Sequence, residues 1–235
     1  MGSTRLSNKV MSDIVGHPML WHIINRVKKS KFIDDIILAT TATKRDDEIV
    51  KFAEENNMNV FRGSEEDVLD RYYQSAKKYK VKDIARVTAD DPLKDPAVID
   101  KIINIYLKNK MDYVSNTIEP TYPLGLDIEV FSFAALEKAW KEAKKTYERE
   151  HVTPYIWMHP DKFKIVNVTY EGSDLSYLRW TVDTKKDLSF IREIYQRLYK
   201  EGKIFLMDDV LDLLEKHPEI NKINKDIKYK TFFST

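Results

Sequence analysis

Between residues 17 and 109, short apolar runs and amphipathic stretches take turns, and that rhythm constrains the fold more than any other feature of the chain. Met19, Leu20, Ile23, Ile24 and Val27 recur at three-to-four spacing, which predicts a helix over 17–30 with one buried face. Ile36-Ile37-Leu38-Ala39 is a run of the kind that forms a fully buried strand, and the polar Thr40-Thr41 follow it. Residues 46–56 read as a helix with acids at its start, where the helix dipole favours them. Asn59-Val60-Phe61 reads as strand, 65–79 as helix, Ile84-Ala85-Arg86-Val87 as strand and 96–109 as helix. The alternation predicts an α/β fold: a three-layer α/β/α sandwich around a mostly parallel, mixed sheet. Right-handed crossovers in such a sheet gather the loops at the strands' carboxyl ends along one edge, where ligands bind.

The rhythm breaks between about 117 and 177. Pro120, Pro123 and Gly125 mark turns, helical stretches follow near 132–145 and 147–157, and Phe163–Val168 is extended. We read this span as an arm inserted late in the sheet of a single domain over 1–235. Leu178–Val182 returns to strand, and helices near 185–200 and 206–216 complete the pattern. There is no internal repeat and no low-complexity linker.

Composition removes several function classes. A chain of 235 residues is long enough to bury about 70–75% of its unfolded surface without staples. Lys plus Arg number 39 and Asp plus Glu 38, a balance that gives no reason to expect nucleic acid as the partner. The absence of cysteine excludes structural disulfides and thiolate metal sites, and fits a cytoplasmic protein. The five histidines form no HxxxH pair, and no GxSxG element occurs. No apolar run reaches the roughly 18 residues of a membrane span, so no membrane partner is expected.

Four places carry residues suited to chemistry. In Gly2-Ser3-Thr4-Arg5-Leu6-Ser7-Asn8-Lys9, small residues allow backbone N–H groups close to a phosphate chain, and Arg5 and Lys9 add positive charge. A solvated terminus explains the same residues. Asp90, in Thr88-Ala89-Asp90-Asp91-Pro92-Leu93, follows a predicted strand. Asp95-Pro96 already looks like the cap and first turn of the next helix. Asp90 is therefore either a turn residue or a ligand for a hard cation such as Mg2+, which takes one or two carboxylates plus substrate phosphates. Asp183 ends the predicted strand Leu178–Val182, while Thr184 is free to cap the following helix. Two aspartates at strand ends lie on one sheet edge, which suggests a shared metal. In Arg62-Gly63-Ser64-Glu65-Glu66-Asp67, Ser64 and Asp67 read as a capping box, which leaves Arg62 and Arg71 to face phosphate or base. Glu148-Arg149-Glu150-His151-Val152-Thr153-Pro154-Tyr155 reads equally as a solvated helix face or a polar site.

Together with Tyr122-Pro123-Leu124-Gly125-Leu126-Asp127-Ile128-Glu129-Val130-Phe131 and Arg179-Trp180-Thr181-Val182-Asp183-Thr184, these stretches stand in one order from residue 2 to about 200. In that order they resemble the acylneuraminate cytidylyltransferase superfamily, most closely its spore-coat polysaccharide biosynthesis protein F branch. The resemblance implies a nucleotide-diphospho-sugar transferase-like fold, transfer of CMP from CTP to an acidic or phosphorylated sugar with release of pyrophosphate, Mg2+ as cofactor, and a homodimer. Carried over by position, Gly2, Ser3, Arg5 and Lys9 would hold the triphosphate, and Arg62, Ser64 and Arg71 would lie near base or ribose. Asp90 and Asp183 would hold Mg2+, and together with Arg5 and Lys9 would make up the catalytic set. Tyr122, Asp127, Glu129, His151 and Arg179 would line the sugar side. The chain departs from the pattern twice. Ser7-Asn8 stand where the family has Pro-Gly. The family's loop also follows a central strand ending in Ala-Arg, whereas this chain opens at the methionine after it. The sheet is therefore expected to lack its first strand, and the alternative function is a truncated, catalytically impaired relative that binds a nucleotide or a partner.

Overall fold

The computed structural model describes residues 8–227. The first half runs β1 (Asp13–Ile14), β2 (His17–Pro18), α1 (Met19–Val27), β3 (Ile37–Thr41), α2 (Asp47–Glu55), β4 (Asn59–Gly63), α3 (Val68–Lys78), β5 (Asp83–Arg86) and α4 (Pro96–Asn109). Next come β6 (Tyr113–Ser115), β7 (Glu129–Ser132), α5 (Phe133–Glu142), α6 (Thr146–His151), α7 (Pro154–Trp157) and β8 (Ile165–Asn167). The last described elements are α8 (Lys185–Leu198), α9 (Met207–Lys216) and α10 (Pro218–Asn221).

The fold is α/β with a mixed sheet. β3 and β4 pair in parallel from Ile37 opposite Asn59 to Thr41 opposite Gly63. Four further strands lie in the order β5-β7-β6-β8. β7 runs antiparallel to both β5 and β6, while β6 and β8 are parallel. Among the described residues β3 pairs only with β4 and β5 only with β7, so the strands stand as two pairs, β1-β2 and β3-β4, and a set of four.

Alternation along β6 and β7 builds the two helical layers. Tyr113 lies opposite Phe131 and faces a core with Leu69, Tyr73, Leu136 and Ile156. Val114 lies opposite Val130 on the other face, in the larger core with Ile23, Ile99, Ile191 and Val210. Residues two apart point the same way, so each strand feeds both cores. The span 117–177 supplies β7 and β8 to the sheet, while its helices α5 and α6 pack on α3.

Local signals fix several helix starts. Asp95 caps α4, its carboxylate accepting from Ala97 N at 2.7 Å, with Pro96 in the first turn. Thr184 caps α8, accepting from Asp187 N at 3.2 Å. α1 begins later than expected because His17–Pro18 is spent on a short hairpin with Asp13–Ile14. The capping box at Ser64 is corrected. Asp67 is the cap of α3 and accepts from Asp70 N at 2.9 Å, whereas Ser64 Oγ accepts from Asp67 N one turn earlier.

The expected strand Leu178–Val182 is also corrected. It forms a single bridge, Arg179 to Leu124, flanked by Leu124 N to Leu178 O at 2.9 Å and Trp180 N to Leu124 O at 2.7 Å. Its alternating Leu178, Trp180 and Val182 are all buried, so the pattern reports burial without a ladder. The crossing is tight. Gly125 has φ +110°, and a Cβ there would stand 2.8 Å from the Trp180 carbonyl carbon and 2.9 Å from Thr181 N. Gly125→Ala therefore meets backbone in a conformation that L residues avoid. It is expected to cost about 2 kcal/mol or more, read as a melting temperature lowered by about 4–8 °C.

Candidate functional site

The site is built around Lys9. Asn8 takes a left-handed conformation (φ 58°), Lys9–Met11 form a single 3-10 turn, and Val10 is buried beneath it. That turn carries Lys9 Nζ to Asp90 Oδ2, Asp183 Oδ1 and Val182 O, each at 3.0 Å. Asp90 stands in the turn after β5, and Asp183 follows the bridge segment just before α8. Val182 N donates to Asp90 O at 2.8 Å, which ties the two loops together. The two aspartates expected to share an edge thus meet at one point. Burial works against the charge on Lys9, but Asp90 and Asp183 outweigh it and raise its pKa. Asp183 is shifted the other way: burial opposes its ionisation, and Lys9 and Arg179 more than offset this.

Behind Asp183 lies a support whose role nothing in the sequence revealed. Arg179 donates to Asp183 Oδ2 at 2.8 Å and to Asp187 Oδ1 at 2.9 Å. Asp187, 0% exposed, also accepts from Asp183 N at 3.0 Å, Thr184 N at 2.9 Å and Asn224 Nδ2 at 3.1 Å. Its place three residues after Thr184 reads as a capping box, and the same carboxylate serves both purposes. Arg179 therefore orients a carboxylate, although the resemblance placed it on the sugar side.

A second acidic group adjoins Asp90. Asp91 is buried and accepts from Thr88 Oγ1 at 2.7 Å and Lys94 Nζ at 2.8 Å. Lys94, 1% exposed, also donates to the backbone carbonyl of Asp127, and Arg26 Nε holds the carbonyl of Lys94 at 2.5 Å. Asn116 grips the same loop from its other side, donating to Leu126 O at 3.0 Å and accepting from Ile128 N at 2.9 Å. The backbone around Asp127 is thus held by buried side chains, yet no hydrogen bond reaches its carboxylate among the described residues. Burial pushes that carboxyl up to about 7; Asp91, Glu129 and Asp90 add to the effect and Lys94 opposes it.

Glu129 is committed differently. It accepts from Tyr113 OH at 2.7 Å and from Arg86 Nη1 and Thr153 Oγ1. Thr153 is aimed by a strained γ-turn: Val152 has φ 75° and ψ −56°, and Thr153 N donates to His151 O at 2.9 Å. Backbone strain of this kind is held only where the surroundings over-determine it. His151, beside Arg86 and Glu129, has its pKa lowered, chiefly by burial.

The remaining expected residues lie elsewhere or outside the described part. Arg62 donates to Thr41 O at 3.1 Å and Thr43 O at 2.7 Å and pairs with Asp47 at 2.7 Å. Arg71 Nη1 donates to Ser64 O at 2.6 Å, and its stem lies over Gly63, where a Cβ would meet Arg71 Cγ at 2.9 Å. Among the described residues its Nε is buried with no hydrogen-bond partner. Arg62, Ser64 and Arg71 thus form their own group at the ends of β3 and β4. Tyr122 is buried in the core, edge-on to Tyr170. Gly2, Ser3 and Arg5 lie outside the described residues.

The oxygens around Lys9 Nζ fit a magnesium ion. Asp90 and Asp183 offer one oxygen each to a single cationic neighbour, and Val182 adds a carbonyl. Two carboxylates are no closed cage, but Mg2+ characteristically takes one or two and completes its shell with water and phosphate.

Comparison with known proteins fits this geometry. A sequence profile described as cytidylyltransferase matches residues 1–212. This chain belongs to the cytidylyltransferase family. It is 44% identical over 234 residues to the uncharacterized protein MJ1063 of Methanocaldococcus jannaschii, covering 98% of this chain and 93% of that protein. It is 31% identical over 225 residues to the spore coat polysaccharide biosynthesis protein SpsF of Bacillus subtilis, covering 93% and 92%. A solved cytidylyltransferase structure from Leptospira borgpetersenii superposes with a TM-score of 0.89 at 33% identity, covering 98% of this chain and 95% of that one. Among the described residues of this cytidylyltransferase, no helix is long and apolar enough to cross a membrane.

Proposed function

We propose that the protein transfers CMP from CTP to an acidic or phosphorylated sugar, releasing pyrophosphate, with Mg2+ held by Asp90 and Asp183. The observation that carries this reading is the convergence of those two carboxylates on Lys9 Nζ, each at 3.0 Å. The family supplies the nucleotide, and the printed name of the Bacillus relative suggests polysaccharide biosynthesis as the destination of the product.

The reaction needs little covalent work from the protein. A sugar oxygen attacks the α-phosphorus in line, a P–O bond forms, and the bond to the β-phosphate breaks with its electron pair on pyrophosphate. Positioning and neutralisation of phosphate charge supply most of the acceleration. Bound magnesium would polarise the phosphate oxygens. Lys9 would neutralise the triphosphate, while Arg179 and Asp187 keep Asp183 in place. Asp127 is suited to receive the proton of the attacking hydroxyl, because its carboxylate takes no hydrogen bond among the described residues and its pKa of about 7 suits proton transfer near neutrality. Glu129, His151 and Arg86 form the neighbouring polar wall.

The test is a matrix of four nucleoside triphosphates against sugar acids and sugar phosphates, 3-deoxy-manno-octulosonate among them, with Mg2+ and a pyrophosphate readout. CTP is expected to be the preferred donor. Turnover with no pair, or preference for a purine nucleotide, would sink the reading. A second reading is a binding module that takes the nucleotide without transferring it. Calorimetry showing CTP binding without turnover across the matrix would support it.

A further inference from the structure

Lys9 occupies the place where the two carboxylates would meet a metal. Its Nζ touches Asp90 Oδ2, Asp183 Oδ1 and Val182 O at 3.0 Å each, and its side chain is 13% exposed. The outer oxygen of Asp183 is taken by Arg179 at 2.8 Å. Without ligand, the carboxylates therefore already have cationic partners, and the space between them is filled. A divalent cation and an ammonium cannot share that point, since like charges at contact distance in a partly buried site repel strongly. A free ion arriving alone gains the two carboxylates but must eject Lys9 into solvent and break its three hydrogen bonds, with no new partner for the ammonium.

A metal–nucleotide complex presents a different exchange. The triphosphate gives the displaced ammonium new oxygens on the same side of the site, and Lys9 has a long flexible stem on a single 3-10 turn with which to reach them. We propose that the ligand this site takes is the metal–CTP complex, and that Lys9 excludes free divalent cations from Asp90 and Asp183 until the nucleotide draws it away. This rests on the reading of those aspartates as the magnesium ligands. Lys9 would then act twice, first as a resident counter-ion and afterwards as a phosphate ligand.

The experiment uses Mn2+ as the probe, with the free-ion EPR signal followed during titration of the full chain. Without nucleotide, the wild type is expected to bind Mn2+ at least about tenfold more weakly than Lys9→Gln or Lys9→Met. Two variants guard against one that folds poorly, and each is checked by melting. Adding Asp183→Asn to Lys9→Gln should remove the gained affinity, which locates the ion. With CTP present, the wild type should remove more Mn2+ from the free-ion signal than the same CTP removes without protein. Equal Mn2+ affinity of the wild type and both Lys9 variants without nucleotide would overturn the proposal while leaving the metal reading intact. If neither the wild type nor the variants bound Mn2+ even with CTP, the metal reading itself would fail and the proposal with it.

Discussion

Asp90→Asn and Asp183→Asn are each expected to slow pyrophosphate release by about 10²–10³-fold, the scale of losing one electrostatic stabiliser of a developing charge. The fold should survive. An amide oxygen can still accept from Lys9 Nζ, and the supports behind Asp183 reach its backbone N–H through Asp187 and its outer oxygen through Arg179. Loss of one carboxylate leaves Lys9 with a single anionic partner, which costs less than stranding a buried charge with none. The measurement is kcat with saturating CTP and Mg2+, beside a melting curve for each variant. The double variant should be little slower than either single one, because residues that act on one ion act as a unit. Near-normal rates in both single variants would show that the two aspartates do not share the metal.

The fold was legible where local chemistry and burial agreed. Asp95-Pro96 and the apolar stripe of α4 fixed that helix at both ends, since a cap, a first-turn proline and a 3.6-residue period all point the same way. The direction of β7 was not legible. Nothing in Glu129–Ser132 records that it runs antiparallel between β5 and β6, because that depends on where a loop of irregular backbone returns it. Leu178–Val182 shows the converse limit. Alternating apolar residues measure which side chains are buried, and here the burial comes with one bridge.

The site divided along similar lines. Asp90 and Asp183 could be found because an acid after an apolar run, beside a residue that already fills the capping role, has few other uses. Lys94 and Asn116 could not, nor could the grip of Asp187 on Arg179. Lys94 is one cation among 39, and only the tertiary fold takes it out of water between Asp91 and the Asp127 carbonyl. Arg62 and Arg71 looked unexplained in sequence, yet the carbonyls of Thr41 and Thr43 at the end of β3 take donors of Arg62, and the Ser64 carbonyl takes one of Arg71.

Asp127→Asn separates stability from function most sharply. Its carboxyl is held up at about 7 against an ordinary value of 3.8, so the folded protein binds a proton there that the unfolded chain has already released. Stability therefore falls as pH rises from about 4 to 7, because the native state binds more protons over that window. Above pH 7 the ionised carboxylate stays partly buried, and the deficit is fully present. Solvent reaching the half-buried group reduces its size to about 1–3 kcal/mol. Asparagine removes the ionisation and with it the penalty. The variant should match the wild type near pH 4 and melt higher at pH 8, with the gap opening between those values. Its turnover at pH 7 should fall by about 10²-fold or more, since a positioned proton acceptor is lost, and the rise of rate with pH through about 7 should disappear. CTP affinity should be unchanged. A carboxylate that shaped the loop would lose stability on substitution, whereas here Lys94 and Asn116 already hold the backbone without it. A gain in stability paired with a loss of rate is the signature of a carboxyl kept at thermodynamic cost for the chemistry it performs.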